Sequence, residues 1–205
     1  MDRHFLTRDR KTERRDSIIL AAHEVFTKKG FHQAKMEEIA KKAGVGKGTL
    51  YEYFESKKDL FCGMVKQWMI WYFDTIGQAA LEGEDFKQKL NNMMTAHMEF
   101  ALRSQNLINM MLNDYIHISR DLNRWMIDSR TDVVNLVETV MKQGVREGKI
   151  RDVNVRLASL VYLSTWTIFI FENCIERGKS DICQTRTHVM DILLNGIVRD
   201  GYNPV

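Results

Sequence analysis

Apolar residues recur every three to four positions along most of this chain, which is the spacing that lines one face of a helix. No stretch alternates apolar and polar residues between turn signals, as a strand would. The one proline is Pro204, so almost nothing interrupts long helices. The pattern therefore predicts an all-α protein of about nine helices. The predicted helices cover residues 12–30, 36–43, 47–54, 56–80, 86–104, 106–117, 121–147, 155–177 and 182–199.

Two short helices joined by a glycine-bearing corner stand out near the N-terminus. In residues 36–43 the apolar positions share one face, and Gly44 can end this helix because glycine readily takes the left-handed conformation. Gly46 is an acceptable cap for the second helix, in which Leu50 and Phe54 are four residues apart and point inward. This arrangement is typical of a helix-turn-helix.

The outward side of the second helix carries small or donor-bearing residues. Lys47 can donate to guanine acceptors or to phosphate, Gly48 removes the side chain where a helix would meet a groove, and Thr49 can contact thymine or phosphate. Tyr51 and Tyr53 add phenolic donors one turn later. The alternative is an ordinary helical corner with a solvated lysine, but the composition favours a helix that enters the major groove of DNA.

The segment at residues 39–61 resembles the DNA-binding motif of the tetracycline-repressor (TetR) family of bacterial transcription regulators. It reads IAKKAGVGKGTLYEYFESKKDLF, and the family repeats I-A, A-G-V, G-x-L-Y, a phenylalanine and S-K-x-x-L at this spacing. At the level of motifs the resemblance covers residues 12–60. The chain departs from the family at two caps: Ala34 and Lys35 stand where threonine or serine is frequent, and Gly46 replaces a frequent serine.

The resemblance implies roles for the residues around the corner. By this resemblance Lys47 and Gly48 face bases, and Glu37 stands where some relatives place a base-reading side chain. Lys57 lies at the expected start of the next helix, where amide dipoles and an ammonium group favour a phosphate. By the same resemblance Thr49, Tyr51, Tyr53 and Lys57 would contact phosphates. The candidate DNA-binding residues are Lys35, Glu37, Lys47, Gly48, Thr49, Tyr51, Tyr53 and Lys57.

The excess positive charge of the chain is concentrated at this end. The net charge is +3; residues 1–60 carry 14 basic and 10 acidic side chains, whereas the remainder carries 16 and 17. A basic end joined to a neutral body is typical of a protein that binds a polyanion. No apolar run approaches the roughly 20 residues that span a bilayer, and the N-terminus lacks an apolar signal segment. We therefore expect a cytoplasmic protein without a membrane partner.

The composition predicts three regions. Residues 1–11 hold four basic side chains and little apolar material, so we expect a basic arm that is disordered on its own. Residues 12–60 are predicted to form a three-helix helix-turn-helix DNA-binding domain. Residues 61–205 are predicted to form a helical domain that binds an effector and dimerises. The helix that starts at Ser56 would link the two domains.

The helix predicted at residues 155–177 is apolar around much of its circumference. Such a helix is buried on several sides, and a terminal helical hairpin would leave one of them exposed. We therefore expect it to pack against its own copy in a homodimer. The family resemblance implies a four-helix bundle made by the last two helices of each subunit. The candidate interface residues are Leu157, Val161, Thr165, Val189 and Leu193.

Methionine and tryptophan are concentrated in the middle of the chain. Methionine adapts to irregular space and tryptophan supplies broad apolar walls, so this region would suit a small hydrophobic or aromatic effector. For each residue taken alone, ordinary core packing is the stronger explanation. The candidate effector-binding residues are Trp68, Tyr72, Met94, His97, Met98, Met111, Trp125 and Phe169.

Together these features predict a ligand-responsive transcription regulator, namely a repressor that binds a near-palindromic operator as a homodimer and is released by its effector. One alternative is a DNA-binding regulator that responds to no small molecule or to a protein partner. The other is an enzyme whose active site is the apolar domain. The enzyme is disfavoured, because the sequence has no GxSxG or HExxH motif, no phosphate-binding glycine loop and no cysteine/histidine cluster at metal-ligand spacing. We expect neither a cofactor nor a metal.

Overall fold

The computed structural model describes residues 10–110, 119–170 and 181–196. Over these ranges the chain forms nine α-helices and no strand, which confirms the all-α prediction. None of these helices, within the same ranges, is long and apolar enough to cross a membrane. The helices are α1 (Arg10–Gln33), α2 (Met36–Lys42), α3 (Lys47–Tyr53), α4 (Lys57–Leu81), α5 (Phe86–Arg103), α6 (Gln105–Met110), α7 (Arg120–Arg146), α8 (Val155–Ile170) and α9 (Ile182–Asn195).

Most helix boundaries fall within two residues of the predicted ones. α1 begins at Arg10, so the last two residues of the predicted basic arm are helical, and the rest of that arm lies outside the described residues. Gly30 has φ 76° and interrupts α1 where the sequence predicts its end. The predicted helix ends at residues 117 and 177 also lie outside the described ranges. The sequence predicts that the last helix ends at residue 199, but α9 ends at Asn195, where Gly196 follows as the C-cap with φ 77°.

The first compact unit comprises the described residues within 1–71 and 106–126. Three aromatic rings meet at its centre: Phe61 lies edge-on to Phe26 at 5.4 Å and to Phe31 at 5.2 Å between ring centroids. α1 packs against α2, and α2 against α3. The apolar side chains without any exposed surface include Ile18, Ile19, Ile39, Leu50 and Leu60. Since each contributes about 1.5–3 kcal/mol when fully buried, this core fixes α2 and α3 against α1.

The second compact unit comprises the described residues within 72–105 and 127–205. In this unit α5 packs against both α8 and α9. Asp85 caps α5, because its carboxylate accepts a hydrogen bond from the backbone N–H of Gln88 at 2.8 Å. Asn154 caps α8 in the same way, with a distance of 3.1 Å to the N–H three residues later. Polar side chains therefore cap both helices at their N-termini.

The chain passes from the first unit to the second inside α4, between Trp71 and Tyr72, and again inside α7, between Met126 and Ile127. α4 is one continuous helix that contributes its first part to one unit and its second part to the other. The sequence analysis divided the chain at residue 60 instead, on grounds of function. That functional division remains a prediction.

Candidate nucleic-acid interface

The corner between α2 and α3 is held by a glycine and by buried apolar residues. Gly44 has φ 68°, and Val45 donates its backbone N–H to the Ala40 carbonyl at 3.0 Å, which confirms the predicted glycine stop. Leu50 of α3 and the following Phe54 are 0% and 3% exposed. These two side chains anchor α3 by one side. The corner therefore leaves the other side of α3 facing solvent.

α3 turns most of the predicted recognition residues outward. Lys47, Gly48 and Tyr51 are exposed, whereas Thr49 and Tyr53 are half-buried. Tyr53 also packs against the apolar core, so its ring helps to support the fold. We call the surface formed by Lys47, Gly48, Thr49 and Tyr51 the outward face of α3. It is short, rich in donors and free of large apolar side chains other than the Tyr51 ring.

Neither the backbone conformation nor a close contact within the described structure requires glycine at position 48. A methyl group at this position would meet no protein atom within 4 Å, and the residue does not have a left-handed backbone. Glycine in an exposed helix costs up to about 1 kcal/mol relative to alanine. Because it has no side chain, glycine at this exposed position lets another molecule approach the backbone closely. A helix that enters a DNA groove has this requirement.

Glu37 of α2 and Lys47 of α3 form an ion pair across the corner. Nζ of Lys47 donates to Oε1 of Glu37 at 2.5 Å, and both side chains are more than half exposed. The hydrogen bond lowers the pKa of Glu37 and raises the pKa of Lys47, so both groups are charged at neutral pH. The sequence analysis assigned both residues to the DNA-binding surface but missed their contact. Ten positions separate them, and no sequence pattern links them.

The starts of α2 and α3 lack side-chain caps. Lys35 is the N-cap residue of α2, is exposed, and makes no capping hydrogen bond. Gly46 is the N-cap residue of α3 and has no side chain to offer. The two departures from the family pattern seen in the sequence are thus visible as missing caps. Lys35 keeps its ammonium group on the surface, where contact with a phosphate remains a prediction.

Lys57 is the first residue of α4, but its ammonium group lies against the connection between α1 and α2. Its Nζ donates to the His32 carbonyl at 2.9 Å and to the Ala34 carbonyl at 3.1 Å. It also lies 4.9 Å from the centre of the Phe31 ring. The ammonium group therefore ties α4 to this connection with two of its three N–H donors. Its predicted contact with a phosphate remains a prediction.

The predicted effector-binding residues are distributed over both compact units. Trp68 and Trp125 belong to the first unit, where the Trp68 ring stacks on His23 at 4.2 Å between centroids. Met111 lies outside the described residues, and so does the side chain of Phe169. The remaining candidates lie on α4 and α5 in the second unit: Tyr72, Met94, His97 and Met98.

Tyr72 and His97 form a buried polar pair in the second unit. Oη of Tyr72 lies 2.6 Å from Nδ1 of His97, and each residue is less than a tenth exposed. Burial lowers the pKa of His97 to about 3 and raises the pKa of Tyr72, so both groups are neutral at pH 7. α5 also buries Met93, Met94 and Met98. An adaptable apolar interior with few polar atoms suits a mainly apolar ligand.

α8 turns apolar residues outward and polar residues inward. Leu157, Leu160 and Val161 are 59%, 43% and 55% exposed and follow one another at helical spacing. We call these three residues the outer stripe of α8. The buried positions of the same helix include three polar residues, namely Ser159, Tyr162 and Thr165. Over residues 155–165, whose side chains the structure describes, α8 thus exposes three large apolar residues and buries three that carry a hydroxyl group.

The five predicted interface residues differ in exposure. Two are exposed, one is half-buried and two are buried inside the protomer; in that order they are Leu157 and Val161, then Leu193, then Thr165 and Val189. Thr165 donates its hydroxyl to the Tyr162 carbonyl at 2.7 Å and lies 3.7 Å from the sulfur of Met94, so it serves the protomer core. Leu160, which the sequence analysis omitted, is exposed. Its position three residues after Leu157 was the available signal.

No metal site is visible in the part of the chain that the structure describes, since no three histidine, cysteine, aspartate or glutamate side chains converge there. The chemistry of the described site is therefore that of its hydrogen-bond donors and charges. Donors dominate on α3, whereas most of the buried side chains that the structure describes in the second unit are apolar.

The chain matches two family models that describe two successive parts of one kind of protein. Residues 18–64 match the model for bacterial regulatory proteins of the tetR family. Residues 83–197 match the model for the tetracyclin repressor-like C-terminal domain. The first match contains the corner between α2 and α3, and the second begins just before α5.

Individual proteins resemble the chain over most of its length. It is 26% identical over 181 residues to the fatty acid metabolism regulator protein of Bacillus subtilis (strain 168). The matched region covers 88% of this chain and 93% of that protein. It resembles the crystal structure of the transcriptional regulator FadR from Bacillus subtilis in complex with stearoyl-CoA, with a TM-score of 0.76, 26% identity, and coverage of 89% of this chain and 99% of that chain. It is also 35% identical over 107 residues to the transcriptional activator FasR of Mycolicibacterium smegmatis, covering 52% of this chain and 49% of that protein. The family models, together with the helix-turn-helix geometry, show that the chain belongs to the TetR family of bacterial transcription regulators.

Proposed function

We propose that this ligand-responsive regulator is a homodimeric repressor that leaves its operator when it binds a long-chain acyl-coenzyme A thioester. The observation that carries the proposal is the outward face of α3. It combines exposed donors at Lys47 and Tyr51 with a glycine at position 48 that the protomer does not need. Lysine donates to guanine acceptors or phosphates, and phosphate contacts supply a large share of DNA affinity.

The outer stripe of α8 supports the homodimer. Leucine and valine side chains that stay in water lose the free energy of burial, about 1.5–3 kcal/mol each. α9 adds two more exposed apolar residues, Ile192 and Leu194. Two copies related by a twofold axis would cover these surfaces with each other. The same axis would present two copies of α3 to successive major grooves of a near-palindromic operator.

The acyl thioester is proposed from the relative and from the interior of the second unit. A protein with 26% identity over 89% of this chain was crystallised with stearoyl-CoA. The interior of the second unit contains both the methionines of α5 and the polar atoms of Tyr72 and His97. Methionines accommodate a long acyl chain, and the polar pair offers a hydrogen bond to a thioester or amide.

The continuous helix α4 couples effector binding to DNA binding. It runs from Lys57 to Leu81 and therefore contributes to both units. An effector that binds one arrangement of α4 better than another shifts the population of arrangements, and it acts on DNA only through that difference in affinity. Because the operator lies on the bacterial chromosome, we place the protein in the cytoplasm.

The proposal is tested by blocking the outward face of α3 without disturbing the fold. The wild type first selects a sequence from a pool of random duplexes. Gly48→Leu is then expected to unfold at the temperature of the wild type and to bind the selected duplex at least about 100-fold more weakly, because its side chain excludes several base contacts worth about 1–3 kcal/mol each. Gly77→Leu on α4 is the matched control, since a methyl group there also meets no atom within 4 Å. Fluorescence anisotropy measures both affinities.

The same DNA complex tests the effector. Stearoyl-CoA is expected to release the duplex, whereas free coenzyme A and stearate are not, because neither carries both the acyl chain and the nucleotide. A wild type that enriches no sequence, or a Gly48→Leu protein that binds normally, rejects the assignment of α3. A DNA complex that survives saturating stearoyl-CoA rejects the acyl thioester and favours a regulator without this effector.

A further inference from the structure

The Glu37–Lys47 ion pair lies beside the outward face of α3, where a carboxylate is out of place. B-DNA carries one negative charge about every 1.7 Å along its axis, so an acidic side chain close to it is repelled unless a base donates a hydrogen bond. Yet Glu37 lies within hydrogen-bond distance of the lysine that the proposed function directs to the bases. The presence of this carboxylate on a DNA-binding surface therefore needs an explanation.

We propose that Glu37 is a specificity-determining residue, and that the Glu37–Lys47 pair restricts α3 to sites that offer a cytosine amino group to the carboxylate beside a guanine that accepts from the ammonium. This inference rests on the proposed function, because it assumes that α3 meets DNA. It adds the residue that rejects wrong sequences and the base chemistry that this residue requires.

The pair does not serve to hold the fold together. The side chains of Lys47 and Glu37 are 56% and 59% exposed, and exposed ion pairs contribute little to stability. The corner is held instead by Ile39 of α2 and Leu50 of α3, neither of which has any exposed surface. Glu37 and Glu38 both lie in the first turn of α2, where a carboxylate favours the helix dipole, so the contact with Lys47 is what distinguishes Glu37.

The base chemistry follows from the pattern of donors and acceptors in the major groove. Guanine presents N7 and O6 as acceptors, and its partner cytosine presents the N4 amino group as a donor. Two groups whose charged atoms are 2.5 Å apart can reach one G·C pair or two neighbouring pairs. A thymine O4 or guanine O6 facing Glu37 would instead bring two acceptors together. Such a site is rejected by repulsion as well as by a missing contact.

The pair also lowers affinity for DNA in general. On a random sequence the ammonium of Lys47 is already neutralised by Glu37, so it displaces no counterion from a phosphate. Each phosphate that a lysine neutralises adds about −0.9 to the slope of log affinity against log salt concentration. Glu37 should therefore remove one such contribution from non-specific binding while leaving specific binding intact.

Glu38, the next residue on α2, provides a matched control. It forms an ion pair of the same kind with Lys29 of α1 at 2.7 Å, and the exposed fractions of the two side chains are 38% and 41%. Glu37→Gln and Glu38→Gln each remove one negative charge from the same helix. Only the first releases a lysine on α3.

The test compares both variants with the wild type on two duplexes, the sequence that the wild type selects and a random-sequence duplex. For Glu37→Gln we expect affinity for the random duplex to rise several-fold at low salt, with a salt slope steeper by about 0.9. We also expect the preference for the selected duplex to fall about tenfold, because the acceptor for cytosine is weakened. A repeated selection with this variant should lose its preference at a G·C position in each half-site. Glu38→Gln should retain the wild-type preference and the same selected bases.

Two results would overturn the inference. One is that Glu37→Gln and Glu38→Gln change both affinities equally, which would make the effect one of net charge alone. The other is that Glu37→Gln selects the same bases with the same preference as the wild type. A wild type that selects no sequence at all rejects the proposed function as well, and is recognised before any variant is measured. Circular dichroism checks that both variants are folded.

Discussion

α3 and α8 each expose one side to solvent, but the two sides have opposite chemistry. The outward face of α3 carries lysine, glycine, threonine and tyrosine, whereas the outer stripe of α8 carries two leucines and a valine. Water solvates the first surface readily, whereas contact of water with the apolar second surface is unfavourable because of the hydrophobic effect. The first therefore suits a polyanion that binds and leaves, and the second suits a protein surface that stays.

The buried sides of the two helices explain why this difference is informative. α3 buries Leu50, as a helix on a protein surface normally does, whereas the buried side chains of α8 within residues 155–165 are Ser159, Tyr162 and Thr165. The Tyr162 hydroxyl donates to the Leu90 carbonyl at 3.0 Å, so the inner polar groups are bonded within the protomer. A helix with polar groups inside and apolar groups outside has a second apolar contact to make. An exposed face is thus best interpreted together with the buried face of the same helix.

The largest expected effect comes from placing a charge in the outer stripe of α8. Val161→Glu should convert the homodimer into monomers, because a dimer would have to bury an unpaired carboxylate, at a cost of about 3 kcal/mol or more. That cost corresponds to a rise in the dimer dissociation constant of at least about 100-fold. Sedimentation equilibrium measures the constant directly. Binding to a near-palindromic duplex should weaken in parallel, since each monomer carries one α3.

Asn135→Glu is the control for this prediction. Asn135 is an exposed polar residue of α7 in the same compact unit, so the variant adds the same charge to a helix without entering the outer stripe. It should remain a dimer. If Val161→Glu also remains a dimer at micromolar concentration, the outer stripe is not the subunit interface, and the proposed contrast between α3 and α8 is wrong.

A second, smaller effect tests the polar interior of the second unit. Burial lowers the pKa of His97 to about 3, against 6.5 for a histidine in the unfolded chain. Between these values the unfolded chain binds a proton that the folded chain does not. The free energy of unfolding therefore falls as the pH falls below about 6.5, by up to about 1.4 kcal/mol per pH unit from this group. Urea denaturation between about pH 5 and 7 should show a weaker pH dependence for His97→Gln than for the wild type.

Tyr72→Phe separates the effect of burial from that of the hydrogen bond. The variant removes the hydroxyl 2.6 Å from Nδ1 but keeps the apolar surroundings that lower the pKa of His97. It should be less stable at every pH and should keep the wild-type pH dependence. Carboxylates titrate equally in all three proteins, so they cancel in the comparison. If His97→Gln follows the wild-type curve, His97 is not a neutral buried group in the folded protein.

Local chemistry was enough to predict the elements of the DNA-binding surface. Gly44 ends α2 because a glycine follows the last apolar position, and Leu50 is buried because it continues the apolar spacing. The end of α2 and the burial of Leu50 both depend only on residues a few positions away in the chain. The same holds for the order of the helices.

Contacts between distant residues could not be predicted in this way. Thr165 and Val189 lie at positions that fit an apolar interface, but their helices are rotated so that both side chains enter the protomer. The rotation depends on how the side chains of α5 pack against these helices, and helical spacing does not reveal that packing. Trp68 stacks on His23, a contact between positions far apart in the chain that the spacing of apolar residues does not reveal. The direction of a side chain is decided by tertiary packing.

The smallest expected effect separates two lysines that the sequence analysis both assigned to the DNA-binding surface. Lys57 donates to the carbonyls of His32 and Ala34, so Lys57→Met removes two charged hydrogen bonds and should lower the free energy of unfolding by about 1–2 kcal/mol, allowing for partial exposure to solvent. Lys47→Met should leave the urea midpoint unchanged and weaken binding to the selected duplex, because the ammonium of Lys47 lies on the exposed surface beside α3. The opposite outcome, a destabilised Lys47→Met and an unchanged Lys57→Met, would mean that α3 supports the fold and that the start of α4 faces the DNA.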